Sequence, residues 1–175
     1  MILATVGAQM PFPRLIHALD EWAAARGRTD VFAQIGPTSD HPRHMQWTHF
    51  LSPGEFRAKM QEADAVIAHA GMGTIITALC LRKPLIVMPR LGELMETRND
   101  HQIATAAQFA ARRGVMVAND REELFDRLDR LPDMGVPQGI SDIASDQLLH
   151  AVRSFILGDA MQEVASSHHA EAPAP

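Results

Sequence analysis

Cysteine is almost missing from this chain of 175 residues, Cys80 being the only one. That excludes an internal disulfide framework and fits a reducing compartment. Basic residues are also in the minority: 16 Lys and Arg against 21 Asp and Glu give a formal net charge of −5. An affinity built on neutralising a phosphate backbone is disfavoured at that charge, so no nucleic-acid partner is expected. No apolar run is long enough to span a bilayer, and the opening MILATVGAQ lacks the charged segment that starts a signal peptide. A cytosolic protein is expected. The chain has no G-x-S-x-G elbow, and Cys80 lies in an apolar helical stretch without an obvious base, so nucleophilic catalysis has no support. His41, His44, His168 and His169 have no cysteine or carboxylate at metal-ligand spacing, and no metal site is expected.

What is present is a core. With 46% hydrophobic residues the chain can bury one sizeable interior, and a single domain over residues 1–157 is expected. Short apolar runs at 2–6, 31–35, 65–68, 85–88 and 115–118 read as strands, with a further extended stretch at 46–51. Between them lie helical patterns: Leu15, Leu19 and Trp22 ahead of Gly27; a capping box Ser52-Pro53-Gly54-Glu55 opening a helix to about Ala63; and a short helix carrying Ile75, Ile76, Leu79 and Leu81. An alanine-rich helix from Asn99 or Asp100 to Arg113 should stop at Gly114, and Asp120 with Glu123 should cap the helix carrying Leu124, Phe125, Leu128 and Leu131. The regular β-α alternation predicts a Rossmann-like parallel sheet with helices on both faces, class α/β. An amphipathic helix follows over 141–157, suited equally to its own sheet or to a partner. The small, polar tail at 158–175 has no face to bury and is expected to be disordered.

Three places along this pattern carry chemistry. His69-Ala70-Gly71-Met72-Gly73-Thr74 joins a central strand to a helix. Its glycines let a phosphate approach the backbone and suit a turn of positive φ, while Thr74 adds a hydroxyl; the same string also serves as a plain strand-to-helix turn. Counted from Gly71, the third glycine of a dinucleotide fingerprint is replaced by Ile76, which disfavours a nicotinamide cofactor. Gly7 forms a similar junction after the first strand, where the ends of central parallel strands meet in a crevice. His69 can orient a phosphate or sugar hydroxyl, or be a hydrogen-bonded core residue. His101-Gln102 starts another helix, and Gln102 offers a donor and an acceptor to hydroxyls, or simply belongs to a polar first turn. Arg90 and Arg98, with Glu93, occupy the loop after the strand at 85–88, where two guanidiniums can fork onto a carboxylate or diphosphate, or remain solvated.

Taken together, Thr5-Val6-Gly7 with Pro11-Phe12, Gln34-Ile35-Gly36, the glycine turn at 69–74, Lys83-Pro84-Leu85-Ile86-Val87 and Asn99-Asp100-His101-Gln102 resemble the C-terminal, donor-binding half of family 28 glycosyltransferases. The nearest resemblance is to small stand-alone members, the catalytic subunits of eukaryotic dolichol-pathway UDP-GlcNAc transferases and the PssE-type bacterial exopolysaccharide glucuronosyltransferase subunits. It extends over most of the chain up to the last helix.

That resemblance implies one half of a GT-B fold holding a UDP-sugar, with the acceptor half on a second, membrane-associated polypeptide that places the complex at the inner face of the membrane. Transfer would run from UDP to a lipid-linked saccharide, without a bound metal or cofactor, the leaving diphosphate being stabilised by backbone amides and helix dipoles. By position, Gly7, Gly71, Met72, Gly73 and Thr74 would face the diphosphate, Gln102 with His101 the donor sugar, and Phe50 and Leu51 the uracil. His69 is the one candidate for a catalytic role. A ribose-binding glutamate of single-chain relatives is replaced here by Thr77. The paired arginines, Arg90 and Arg98, suggest an acidic donor sugar such as glucuronic acid. The other readings are a non-enzymatic nucleotide-sugar-binding regulatory module and a UDP-sugar epimerase-like protein.

Overall fold

A computed structural model of the chain describes residues 1–141 and 143–157; the tail expected to be disordered lies outside these. Contacts divide the chain after Ile140. The last helix belongs to the second of the two units.

Within residues 1–140, six strands form one parallel sheet: β1 (Ile2–Thr5), β2 (Val31–Gln34), β3 (Gln46–Thr48), β4 (Ala65–His69), β5 (Leu85–Met88) and β6 (Val115–Val117). Their order is β3-β2-β1-β4-β5-β6. The helices between them are α1 (Pro13–Arg26), α2 (Pro53–Glu62), α3 (Met72–Cys80), α4 (His101–Ala110) and α5 (Arg121–Asp129). Starting from β1 the chain winds one way to β3, then returns to β4 on the other side of β1 and winds outward to β6. The strand order thus reverses between β1 and β4, and loops leaving their carboxyl ends must part there, opening a crevice.

The central strands are apolar throughout because both faces are covered. Alternate residues go to opposite sides. Ile2, Ala4, Val6, Ile67, Ile86 and Met88 pack with Leu15, Leu19 and Trp22 of α1 and Leu124 and Leu128 of α5. Leu3, Val66, Ala68, Leu85 and Val87 pack with Met60 of α2, Ile75 and Leu79 of α3 and Phe109 of α4. The two layers of helices hold the crevice at one edge of a rigid sheet.

Local signals place most boundaries. Ser52 Oγ accepts from the Glu55 N–H while the Glu55 carboxylate accepts from the Ser52 N–H, the reciprocal cap expected at α2. Gly27 closes α1 in the left-handed conformation, φ 61°. Two ends differ from expectation. Helix α4 stops at Ala110, since the Arg112 N–H turns back to the Phe109 carbonyl and tightens the chain ahead of Gly114. In the second unit, α6 (Asp146–Leu157) starts later than residue 141. Ser145 Oγ accepts from the Leu148 N–H as its cap, while Ser141 Oγ is taken by the Ile143 N–H in a separate turn.

Candidate donor-binding site

The crevice between β1 and β4 holds a cavity of about 400 Å³, lined by residues 6–10, His69, Gly71, Arg90, Glu96, Thr97, His101 and Gln102. The topology therefore brings Gly7, His69, Gly71, Arg90, His101 and Gln102 together from four separate segments. A second cavity of about 390 Å³ shares Gln9, Met10, Thr97 and His101 with it and adds Arg98 and Asn99.

His69 ends β4 and stands between the two glycine loops. A Cβ on Gly71 would lie 2.3 Å from its Nε2, and one on Gly7 would lie 2.9 Å from its Cε1. The reason for glycine differs at the two positions. Gly7 has φ 79°, the left-handed region, whereas Gly71 is extended at φ −88° and would suit any residue were the imidazole not against it. The positive φ expected at the glycine turn is found at neither Gly71 nor Gly73. Burial pushes the His69 pKa down to about 4, the positive charge of Arg90 adds to this, and the backbone of Thr5 acts weakly the other way. At neutral pH the ring is uncharged. Its Nδ1 is fully buried without a hydrogen-bond partner among the described residues.

The stretch from Met72 to Thr74, expected as a phosphate-facing loop, is the first turn of α3. Gly71 is its N-cap and has no side chain to occupy the free amides. Met72 points outward, 47% exposed, and Thr74 is buried; none of Met72, Gly73 and Thr74 lines the cavity. Thr77, where the resemblance would place a ribose ligand, donates its hydroxyl to the Gly73 carbonyl at 2.7 Å.

Opposite this turn, loop 6–12 is held by its carbonyls. Gln34, buried at the end of β2, donates Nε2 to the Gly7 carbonyl at 2.9 Å and accepts from Thr5 Oγ1 at 2.6 Å. Arg90 is 4% exposed and donates to the carbonyls of Val6 (2.9 Å), Met10 (2.8 Å), Pro11 (2.6 Å) and Glu96 (3.3 Å). Its guanidinium also lies 4.5 Å from the centre of the Phe12 ring. Four of its five N–H donors are therefore spent on the protein, and Arg90 does not fork onto a ligand beside Arg98 as expected. Burial lowers its pKa from the usual guanidinium value, Glu96 opposing and Arg14 reinforcing the effect.

The Glu96 carboxylate is itself occupied. It accepts from Arg14 Nε at 2.8 Å, Arg14 Nη2 at 2.7 Å and the Leu91 N–H at 3.0 Å. Arg14 also reaches the carbonyls of Pro89 and Asn119. Arg14, Glu96, Thr5 and Gln34 were not foreseen as part of the site. Thr5 and Gln34 each left a trace in the sequence, as the polar residue closing an otherwise apolar strand.

Two side-chain donor groups remain open to the cavity. Gln102, 6% exposed, uses its Oε1 on the Arg90 N–H at 3.2 Å, leaving its amide nitrogen without a protein acceptor among the described residues. His101 is exposed, with Nδ1 against the Asn99 side chain. Arg98 is exposed beside the second cavity and forms no ion pair among the described residues. A wall of N–H donors with a buried cation behind it suits an anion chemically.

The family model for the glycosyltransferase family 28 C-terminal domain matches residues 1–134. The chain belongs to that family. Its sequence is 28% identical over 165 residues to the UDP-N-acetylglucosamine transferase subunit ALG13 of Yarrowia lipolytica, covering 80% of this chain and 82% of the relative. An NMR structure of ALG13 has the same fold at TM-score 0.56 and 20% identity, with 80% of this chain and 89% of that one covered. The crystal structure of the kitacinnamycin glycosyltransferase aligns at TM-score 0.54 and 19% identity over 75% of this chain, which spans only 34% of that enzyme. The family 28 domain seen here is thus the Rossmann-like half of a GT-B fold. The cavity it carries lies at the carboxyl edge of that half. Among the described residues no helix is long and apolar enough to cross a membrane.

Proposed function

We propose that this family 28 domain is the donor-binding subunit of a two-component glycosyltransferase, moving a sugar from a UDP-sugar to a lipid-linked saccharide in exopolysaccharide synthesis. The observation that carries this reading is the cavity at the β1/β4 reversal, with open amides, Gln102 and the buried Arg90 charge on its walls. Open donors in a water-poor cleft stabilise the charge that grows on a leaving diphosphate. Gln102 is set to donate to a sugar hydroxyl. Family membership favours transfer over epimerisation.

We infer a second polypeptide from how the groups in the cavity wall are occupied. Glu96, the carboxylate in the cavity wall, is fully engaged, and His69 is neutral and packed between loops. An acceptor-binding subunit at the membrane would bring both the acceptor and the catalytic base.

For the donor sugar, Arg98 is the residue with a free guanidinium, and a carboxylate is what it matches bidentately. This favours UDP-glucuronate, although the curated relative is a UDP-N-acetylglucosamine transferase subunit. The test is transfer of labelled sugar from UDP-glucuronate, UDP-glucose or UDP-N-acetylglucosamine into lipid extracts by the chain co-expressed with a membrane-associated partner. We expect glucuronate transfer, with Arg98→Ala lowering the preference over glucose about tenfold, as loss of one charged pair is worth about 1.4 kcal/mol or more. Absence of glucuronate transfer would exclude the acidic donor, and unchanged discrimination in Arg98→Ala would exclude Arg98 as the residue that reads it. Binding of UDP without transfer in any pairing would instead point to a regulatory nucleotide-sugar-binding module.

A further inference from the structure

The carbonyls and the amides of loop 6–12 face different fates. Those of Val6, Met10 and Pro11 end on one buried guanidinium, and that of Gly7 ends on Gln34. No acceptor within the described residues takes the N–H groups of Ala8, Gln9 or Met10, and all three residues line the cavity. A peptide plane is rigid, so the Gly7 carbonyl drawn to Gln34 turns the Ala8 N–H to the other side, while Arg90 pins the loop on both flanks of residues 8–9, at Val6 and at Met10 and Pro11. Arg90 also holds the Glu96 carbonyl, joining this loop to the one after β5.

We propose that Arg90 is a positioning residue for the donor diphosphate: by pinning loop 6–12 through the carbonyls of Val6, Met10 and Pro11, it fixes the loop in the shape that leaves the amides of Ala8, Gln9 and Met10 free to cradle an anion. This rests on the donor-binding reading and goes beyond it by naming what builds the phosphate subsite. Arg90 then acts through the backbone at 8–10 and as a fixed positive charge behind it, without itself gripping the ligand. A guanidinium suits the task because its planar fork meets several carbonyls at once. Lysine, with three donors on a single nitrogen, cannot span all four.

The test is titration of the full chain with UDP and, separately, with uridine, followed by NMR, for the unaltered protein, Arg90→Met and Arg90→Lys. UDP affinity should fall at least tenfold in Arg90→Met and by a smaller factor in Arg90→Lys, while uridine affinity stays within twofold. Should Arg90→Met not fold, Arg90→Lys carries the test, since it keeps charge and bulk. UDP binding within twofold of the unaltered protein in both variants, or equal weakening of UDP and uridine, would overturn the proposal. If the unaltered protein binds neither ligand, the donor-binding reading itself fails.

Discussion

Gly71→Ala should weaken UDP binding by more than tenfold and destabilise the domain by about 2 kcal/mol, the scale of inserting a methyl group into a packed site. The added Cβ would lie 2.3 Å from His69 Nε2, closer than any non-bonded contact allows. Either the imidazole moves into the cavity or β4 and α3 separate. A second substitution separates side-chain crowding from backbone strain. Because Gly71 is extended, alanine is unstrained there once the ring is gone, so in a His69→Ala background Gly71→Ala should be neutral or slightly stabilising. Gly7→Ala should remain destabilising in that same background, since φ 79° strains alanine whatever surrounds it. Denaturant titrations of the two cycles measure this directly. Equal cost of Gly71→Ala with and without His69 would refute the packing explanation.

Glu96→Ala should cost about 3 kcal/mol and lower the melting temperature by about 8 °C, reasoning from the loss of one partner in a largely buried ion pair and from the usual scaling for a domain of this size. The Glu96 side chain is 11% exposed and that of Arg14 20%. Removing the carboxylate strands Arg14, frees the Leu91 N–H and takes away the one anion that offsets Arg90. Arg14→Met should cost less, because Glu96 keeps the Leu91 N–H and the nearby positive charge of Arg90, and the repulsion between Arg14 and Arg90 is removed. The double variant should fall short of the sum by about 1–3 kcal/mol, the coupling expected of groups in one network. Simple additivity by thermal or chemical denaturation would show that Arg14 and Glu96 do not act together.

How far this could be read beforehand follows from the range of the interactions. The strand at 85–88, the two-sided burial of 65–68 and the capping box at Ser52 are local patterns, and their places in the fold follow from periodicity and caps. The β1/β4 crevice follows from the β-α alternation once strand order is known. The convergence of Gly7, His69, Gly71 and Gln102 was accessible through family resemblance. Arg90 was not. Its acceptors on Val6, Met10 and Pro11 lie 79 to 84 residues away in sequence, and nothing in a loop reading PRLGELMETR distinguishes a guanidinium that turns inward from one, Arg98, that stays outside. The need for glycine at 71 was legible as a need but not as a cause, because the cause is an imidazole two residues back folded against it rather than a backbone angle. The helix boundary at α4 shows the same limit on a smaller scale, where a tightened turn competes with a glycine stop and wins.

The most direct measurement is the amide spectrum of the isotopically labelled full chain during titration with UDP. Saturable shifts at Ala8, Gln9, Met10 and Gly71 and at the Gln102 side-chain amide are the predicted result, with uridine moving Ala8, Gln9 and Met10 far less. No shift at these groups at millimolar UDP, or shifts confined to another part of the chain, would contradict the assignment of the β1/β4 cavity as the donor site.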